Sequence, residues 1–313
     1  MSRPLVIGSR GSKLALWQAE QARARLQALD PQIQVEIEII KTTGDVKSDP
    51  LSVIGGKGVF TKELEDALLD GRIDIAVHSL KDLPTVLPDG LSISAICERE
   101  DARDALVLRA GSEGGSLMDL PRGAVVGTSS QRRLAQLKAL RGDVVVKDLR
   151  GNVDTRIRKL DEGQYDAVIL ASAGLVRLGL HERISARIEI GEMLPAVGQG
   201  AIAIETRADN DFAVQTASRL EHRETRLACL AERAFLRGLG GGCQLPIAAH
   251  AILDDGLLKL TGLVAKPDGS EILRDSLSGS PDDPEAIGSS LASHLANPEI
   301  LSQWWAGLRD SHD

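Results

Sequence analysis

The chain passes from an apolar strand into a helix within one short stretch, Ala124-Val125-Val126-Gly127-Thr128-Ser129-Ser130-Gln131-Arg132-Arg133. The β-branched run predicts a buried strand over Ala124–Val126, and the spacing of apolar residues that follows predicts a helix over Ser130–Leu140. Similar strand and helix patterns alternate on both sides, which is typical of α/β domains with mostly parallel, doubly wound sheets. With 313 residues the chain is too long for one ordinary core, so we expect two or three domains.

The alternating elements fall into two series. The first comprises a helix from near Thr61 to Gly71, helix Lys13–Leu29, and strands Leu5–Ile7, Val35–Ile39, Ile73–Val77 and Leu91–Ile96. The second comprises helices Ser130–Leu140 and Val153–Glu162 and strands Ala105–Leu108, Ala124–Val126, Val144–Leu149 and Asp166–Ala171. After a Pro/Gly hinge at Leu194–Gly200, the strand Ala201–Glu205 is expected to return to the first sheet. The chain would then form two lobes joined by two crossings, with a cleft between them.

The last third of the chain has a different pattern. Helix Arg223–Arg237 is followed by strand-like runs joined by Asp-Gly turns, and a final helix is predicted near Pro284–Leu295. This pattern predicts a small α+β domain with an antiparallel sheet. We therefore expect one lobe at residues 1–98 with 199–218, a second lobe at 99–198, and a C-terminal domain at 219–313.

The composition limits the kinds of ligand that the protein can bind and the cellular compartment in which it is expected. The 37 Lys and Arg residues against 45 Asp and Glu give a net charge of -8, which argues against a nucleic-acid or anionic-membrane surface. An anionic ligand must therefore be bound by local clusters of basic residues. The three cysteines and six histidines show no metal-type spacing, so no metal is expected. With no signal peptide or long apolar run, the sequence predicts a cytoplasmic protein.

One such basic cluster opens the helix at Ser130. Arg132 and Arg133 lie at the positive end of the helix dipole, where acidic residues are favoured. A bound anion would explain this arrangement, since free backbone N–H groups and serine hydroxyls point the same way. Alternatively, both arginines lie in solvent. If the two arginines bind an anion, replacing either residue by Leu should impair that binding and leave folding intact, or even stabilise the empty helix slightly by relieving repulsion.

A second basic group surrounds the next predicted helix. Arg150 precedes helix Val153–Glu162, and Arg156 lies in its first turns. Asp154, also in the first turn, offsets part of their positive charge. Anion binding and simple solvation remain equally open for this pair.

Three loops of the first lobe follow predicted strands and carry polar residues. They are Ser9-Arg10-Gly11-Ser12, Gly55-Gly56-Lys57-Gly58 and Val77-His78-Ser79-Leu80-Lys81-Asp82-Leu83-Pro84. Ligands of open α/β sheets bind beyond the carboxyl ends of strands, so these loops are expected to share one cleft. Lys57 is followed by Gly rather than Ser or Thr, which argues against a nucleotide-hydrolysing P-loop. Asp82 lies among cations and is expected to be ionised, unless it only caps the turn before Pro84, whereas His78 is expected to be a packing residue.

A cysteine lies in the glycine-rich stretch Gly240-Gly241-Gly242-Cys243-Gln244-Leu245-Pro246. The glycines and the proline predict a loop. An accessible thiol in a loop indicates use of its nucleophilicity, but a tight turn with an incidental thiol fits the residues equally well.

Taken in order, the motifs resemble the porphobilinogen deaminase family. The resemblance rests on Ser9–Ser12 with Leu14–Gln18, Gly55–Gly58, His78–Asp82, Thr128–Arg133, Leu149–Val153, Leu194–Gly200 and Gly241–Gln244, and it covers nearly the whole chain. It implies two lobes similar to periplasmic binding proteins. It also implies a C-terminal domain carrying a dipyrromethane cofactor linked through a thioether to Cys243, with Asp82 as the catalytic carboxylate.

The resemblance further implies which residues bind acetate and propionate side chains. For the cofactor they are Lys57, Ser79, Lys81, Ser130, Arg132, Arg133, Arg150 and Arg156. For the substrate they are Arg10, Ser12, Arg150, Arg156 and Arg177. Where the family often has Lys two residues before the Gly-Gly-Lys-Gly loop, this chain has Val53, so one expected cation is missing.

The family's reaction is a transferase step of tetrapyrrole biosynthesis. Porphobilinogen loses ammonia to give an electrophilic cation, four units condense head to tail on the primer, and hydrolysis releases hydroxymethylbilane. Arginine forks suit the two carboxylates of each ring, and a fixed carboxylate stabilises the cation and relays protons. The expected protein is a monomer whose only partners are porphobilinogen and the growing chain.

A different class of function would use the same features. A solute-binding protein or the effector domain of a regulator also binds organic anions between two lobes, without chemistry. The missing signal peptide argues against the first and the absence of a helix-turn-helix segment against the second. A covalent adduct on Cys243 would distinguish the classes.

Overall fold

The computed structural model describes residues 3–43, 60–112, 114–242 and 245–309, and it divides the chain into two compact units. Among the described residues, the first unit comprises those up to residue 99 together with 201–227, and the second comprises those from 100 to 200 together with those from 228 to 309. Within the described residues, no helix is long and apolar enough to cross a membrane.

The first unit is built on a five-stranded mixed sheet. Its strands are β1 (Leu5–Ser9), β2 (Val35–Ile39), β3 (Ile75–Ser79), β4 (Leu91–Ile96) and β10 (Ile202–Arg207), in the order β2-β1-β3-β10-β4. Its helices are α1 (Lys13–Leu29), α2 (Lys62–Leu69) and α6 (Asp211–Ser218), with a short 3-10 turn at Leu80–Asp82. Strands β2, β1 and β3 are parallel, whereas β10 pairs antiparallel with both β3 and β4. The returning strand predicted after the Pro/Gly hinge is therefore confirmed.

Residues 100–200 of the second unit form another five-stranded mixed sheet. Its strands are β5 (Asp104–Leu108), β6 (Val125–Gly127), β7 (Val145–Lys147), β8 (Ala167–Ala171) and β9 (Ala186–Arg187), in the order β7-β6-β8-β5-β9. Its helices are α3 (Gln131–Leu140), α4 (Val153–Asp161) and α5 (Ser172–Arg177), with 3-10 turns at Leu117–Asp119 and His181–Arg183. Strands β7, β6 and β8 are parallel, and β5 is antiparallel to β8. In each sheet four strands therefore run in one direction and a single strand, β10 in the first sheet and β5 in the second, runs in the opposite direction.

The rest of the second unit is an antiparallel meander packed with helices. Helix α7 (Arg223–Gly238), which begins in the first unit, leads into it. The following elements are β11 (Ile247–Asp254), β12 (Leu257–Ala265), β13 (Ile272–Gly279), α8 (Pro284–Leu295) and α9 (Pro298–Arg309). Its core includes the fully buried Phe235 and Trp305, and the Trp305 indole donates a hydrogen bond to the carbonyl of Ala265 at 3.0 Å. The predicted fold class, two α/β sheets with a C-terminal antiparallel α+β part, is confirmed, and the predicted three-domain division stays a prediction.

One predicted strand is displaced. The sequence favours Ile73–Val77, but the strand runs from Ile75 to Ser79, because pairing with β10 extends to Ser79 opposite Ile202. Asp74 instead accepts hydrogen bonds from the Val6 amide and from the guanidinium of Arg3. His78 is consequently part of a strand, and it is buried as expected for a packing residue.

Candidate functional site

In the first unit, predicted site residues follow two neighbouring parallel strands. Arg10 comes directly after β1, Ser79 is the last residue of β3, and Lys81 and Asp82 form the turn that follows. The carboxyl ends of parallel strands meet at the same edge of a sheet, so these residues share that edge. Asp82 is exposed and Lys81 is half-buried.

Three predicted site residues of the first unit, Arg10, Ser12 and Ser79, have side chains that contact neighbours in the same unit. The guanidinium carbon of Arg10 lies 4.3 Å from the centre of the Phe60 ring, a cation–π contact. Ser12 caps helix α1, and its hydroxyl accepts a hydrogen bond from the Ala15 amide at 3.3 Å. The buried amide of Gln18 donates to the Ser79 hydroxyl at 2.8 Å, so the Ser79 oxygen acts as an acceptor in this contact and its own hydrogen can donate to a ligand.

In the second unit, the predicted residues follow three neighbouring parallel strands. Helix α3, capped by Ser130, follows β6, the loop with Arg150 follows β7, and helix α5, ending at Arg177, follows β8. The Ser129 hydroxyl donates to the Leu149 carbonyl at 2.6 Å and so connects the first two loops. The loops and helices that carry Ser130, Arg132, Arg133, Arg150, Arg156 and Arg177 therefore all follow strands at this edge.

Arg132 and Arg133 are both buried and both bind the carboxylate of Asp104. Arg132 Nη1 lies 2.7 Å from Asp104 Oδ2, and Arg133 Nη2 lies 2.7 Å from Asp104 Oδ1. Backbone carbonyls hold the other ends, since Arg132 also donates to Leu194 and Arg133 to Ile169. Burial raises the pKa of Asp104, but the charges of the two arginines outweigh burial and hold this pKa well below its usual range.

These contacts change the argument made from the helix dipole. The alternative that Arg132 and Arg133 lie in solvent is wrong, because their residues are only 4% and 5% exposed. The anion that the sequence argument required is partly supplied by Asp104, which that argument did not include. Two guanidiniums against one carboxylate still leave a positive charge, and anion binding by these arginines stays a prediction.

The remaining arginines of this edge also have defined contacts. Arg150 Nε donates to Asp148 at 2.7 Å, Arg156 Nε donates to the Gly151 carbonyl at 2.7 Å, and Arg177 Nη2 donates to the Gly200 carbonyl at 2.6 Å. Gly151 has φ +110, and a Cβ there would lie 2.7 Å from Thr155, so both backbone and space require glycine. Arg150 and Arg156 are half-buried, whereas Arg177 is buried.

Several predicted residues lie outside the described residues. They are Lys57, Val53 and the rest of the Gly55–Gly58 loop, together with Cys243 and Gln244. Of the loop before Cys243, Gly241 is described, and a Cβ there would lie 2.5 Å from Ile247 and 2.8 Å from Leu236, so a larger residue would displace these two side chains. Cys97 and Cys229 are buried, as expected for cysteines placed in apolar elements.

Sequence reasoning missed two residues that support the site. Asp104 gives a weak signal, an acidic residue at the start of an apolar strand and next to Arg103, but its pairing with α3 is a tertiary contact. Gln18 is the polar residue within the apolar stripe of α1, and its burial facing Ser79 could not be read from spacing alone.

Fold and site together define a class of protein. It is an α/β protein with two mixed sheets, and each sheet carries basic and hydroxyl side chains at the edge where its parallel strands end. Two family models match the chain. The model described as porphobilinogen deaminase, dipyromethane cofactor binding domain, covers residues 5–215, and the model described as porphobilinogen deaminase, C-terminal domain, covers residues 226–297. The chain belongs to the porphobilinogen deaminase family.

Individual relatives extend the match over nearly the full chain. The porphobilinogen deaminase of Chromobacterium violaceum is 54% identical over 292 residues, which is 93% of this chain and 94% of the relative. That of Synechococcus elongatus is 50% identical over 312 residues, 98% of each chain. Among solved structures, the L-cystine solute receptor of Neisseria gonorrhoeae gives a TM-score of 0.40 at 14% identity, covering 77% of this chain and 94% of the receptor.

The described residues fit the dipyrromethane named by the family model. The rings of such a group carry carboxylates, and guanidinium and hydroxyl donors are the partners that carboxylates prefer. In addition, Arg132 Nε is buried with no hydrogen-bond partner among the described residues. A buried donor needs an acceptor, and a carboxylate bound at this edge would supply one.

Proposed function

We propose that the protein condenses four porphobilinogen molecules head to tail, with loss of ammonia, and releases hydroxymethylbilane for tetrapyrrole biosynthesis. The observation that carries this proposal is membership of the porphobilinogen deaminase family, with matches over residues 5–215 and 226–297. The basic and hydroxyl residues at the two sheet edges support it, because every pyrrole ring of the substrate brings two carboxylates.

The basic residues divide into two proposed groups. Ser79 and Lys81 of the first unit, with Ser130, Arg132, Arg133, Arg150 and Arg156 of the second, hold the cofactor, together with Lys57. Arg10, Ser12, Arg150, Arg156 and Arg177 bind the substrate. Bidentate guanidinium contacts fix the rings in position, which lowers the entropic part of the barrier to condensation.

Asp82 is the proposed catalytic residue. Loss of ammonia from porphobilinogen leaves a cation, and a carboxylate fixed beside the pyrrole N–H groups stabilises that charge and accepts protons from it. Its exposure at the end of a short turn keeps the carboxylate accessible to a ligand. When bound, the dipyrromethane supplies the nucleophilic pyrrole carbon at which the chain starts.

The proposal includes the anchoring and the setting of the enzyme. Cys243 is the attachment point of the dipyrromethane, through a thioether. The chain comprises three domains, two α/β lobes and a C-terminal domain that carries Cys243, and it acts as a cytoplasmic monomer.

Turnover of porphobilinogen tests the proposal. The purified full-length protein should convert porphobilinogen into hydroxymethylbilane with release of one ammonia for each ring added. Binding of porphobilinogen without release of ammonia would contradict the proposal and favour a solute-binding function instead.

A further inference from the structure

Asp104 is the centre of a buried polar cluster in the second unit. It is the first residue of β5, it is fully buried, and it accepts hydrogen bonds from three side chains. Besides Arg132 and Arg133, Gln199 Nε2 donates to Oδ1 at 2.9 Å. Its carboxylate therefore connects helix α3 with the Pro/Gly hinge.

The geometry fixes both guanidiniums in orientation as well as in place. Arg132 reaches Asp104 with Nη1 and with Nη2, and Arg133 reaches it with Nη2 and with Nε at 3.1 Å. Each guanidinium has a second anchor on a backbone carbonyl. Two adjacent cations repel each other strongly in a buried setting, so the shared carboxylate is what allows them to lie side by side.

The cluster still has capacity for an acceptor. Each guanidinium carries five N–H groups, and the hydrogen bonds described above use three of them in each arginine. The cluster also retains one positive charge, since one carboxylate faces two guanidiniums. These two properties match one bound carboxylate group rather than two.

We propose that Asp104 is a positioning residue that holds Arg132 and Arg133 as one rigid fork with a single net positive charge, so that the fork binds one carboxylate of the pyrrole chain. This inference rests on the proposed function. Asp104 itself does not contact the substrate in this arrangement; it acts through the two arginines.

The proposal predicts different results for two substitutions at this position. Asp104→Asn keeps the shape but removes the charge, so the guanidiniums separate and the local charge rises. We expect fewer molecules to carry the cofactor, and KM for porphobilinogen to rise roughly tenfold or more, as misplaced binding groups do. Inorganic phosphate should inhibit this variant more strongly than wild type, because the extra positive charge favours small anions. Asp104→Glu keeps the charge and should restore the wild-type response to phosphate, with an intermediate KM.

Asp143→Asn is a matched control. Asp143 also receives two guanidinium hydrogen bonds, both at 2.8 Å, but they come from Arg141, which is not among the predicted site residues. This variant should retain wild-type cofactor loading, KM and response to phosphate.

The experiment compares full-length wild type and the three variants. Intact mass measures cofactor loading, circular dichroism checks the fold, and kcat and KM are measured with and without inorganic phosphate. A folded Asp104→Asn variant with normal loading, KM and phosphate response would overturn the proposal. Failure of both Asp104 variants to fold would assign the residue to stability alone and overturn it as well. Wild-type turnover of porphobilinogen is measured in the same series, so a failure of the proposed function is seen separately.

Discussion

Replacing Arg132 by Leu should destabilise the protein, although the helix dipole alone predicts a neutral or stabilising change. The substitution removes two hydrogen bonds to Asp104 and one to the Leu194 carbonyl. Hydrogen bonds to charged groups contribute about 1.5–3 kcal/mol each, and the loss is reduced because a buried guanidinium no longer has to be desolvated. Asp104 keeps Arg133 and Gln199 as partners. We therefore expect the free energy of unfolding to fall by about 2–4 kcal/mol.

Urea unfolding followed by circular dichroism measures this change, and an exposed arginine gives the control. Arg158 donates to Glu162 at 2.6 Å on the surface of helix α4. Such exposed pairs contribute about 0–1 kcal/mol, so Arg158→Leu should shift the unfolding midpoint only slightly. If Arg132→Leu unfolded at the same urea concentration as wild type, or at a higher one, the structural role assigned to the Asp104 contacts would be refuted.

Two further predictions concern Asp82 and Glu65. Asp82→Asn should keep the fold and cofactor loading but lower kcat on the order of a hundredfold, and the kcat of Asp82→Glu should lie between those of Asp82→Asn and wild type. If Asp82 only caps the turn, the ranking should be reversed, with Asp82→Asn close to wild type and Asp82→Glu the more impaired variant. Burial raises the pKa of Glu65, with the Glu205 charge adding to the rise and the Thr61 hydroxyl and His78 opposing it. At pH values between the ordinary glutamate pKa and this raised pKa, the native state binds a proton that the unfolded chain has released, so the stability contributed by Glu65 falls as pH rises above the ordinary glutamate pKa. Thermal unfolding should show that Glu65→Gln loses less stability than wild type when the pH is raised from 5 to 8. Equal losses for the two proteins would exclude a contribution of Glu65 to the pH dependence of stability.

The order of strands and helices could largely be read from the sequence because each element has a clear apolar period. Helix Lys13–Leu29 has the predicted bounds, and Ser130 caps the helix that was predicted to begin there. The return of β10 to the first sheet was predicted from a single apolar run after the hinge. The local sequence pattern was sufficient for these elements because an apolar run that must be buried, bounded by turn residues, is compatible with few other secondary structures.

The contacts between distant residues could not be predicted in the same way. Asp104 meets Arg132 across 28 positions and Gln199 across 95, and no local spacing encodes such pairing. The extension of β3 to Ser79 likewise depends on hydrogen bonds to a strand more than a hundred residues later. Which residues line the predicted site was therefore inferable from motifs, whereas what orients them required the tertiary structure.

The mass of the active protein tests the central claim most directly. If Cys243 carries the dipyrromethane, intact-protein mass spectrometry should show wild-type protein heavier than its sequence by two pyrrole units. Cys243→Ser should show the mass of its own sequence and no turnover, while Cys97→Ala and Cys229→Ala, which change buried residues, should keep the added mass and lose only stability. An unmodified mass in wild-type protein that turns over porphobilinogen would contradict the account.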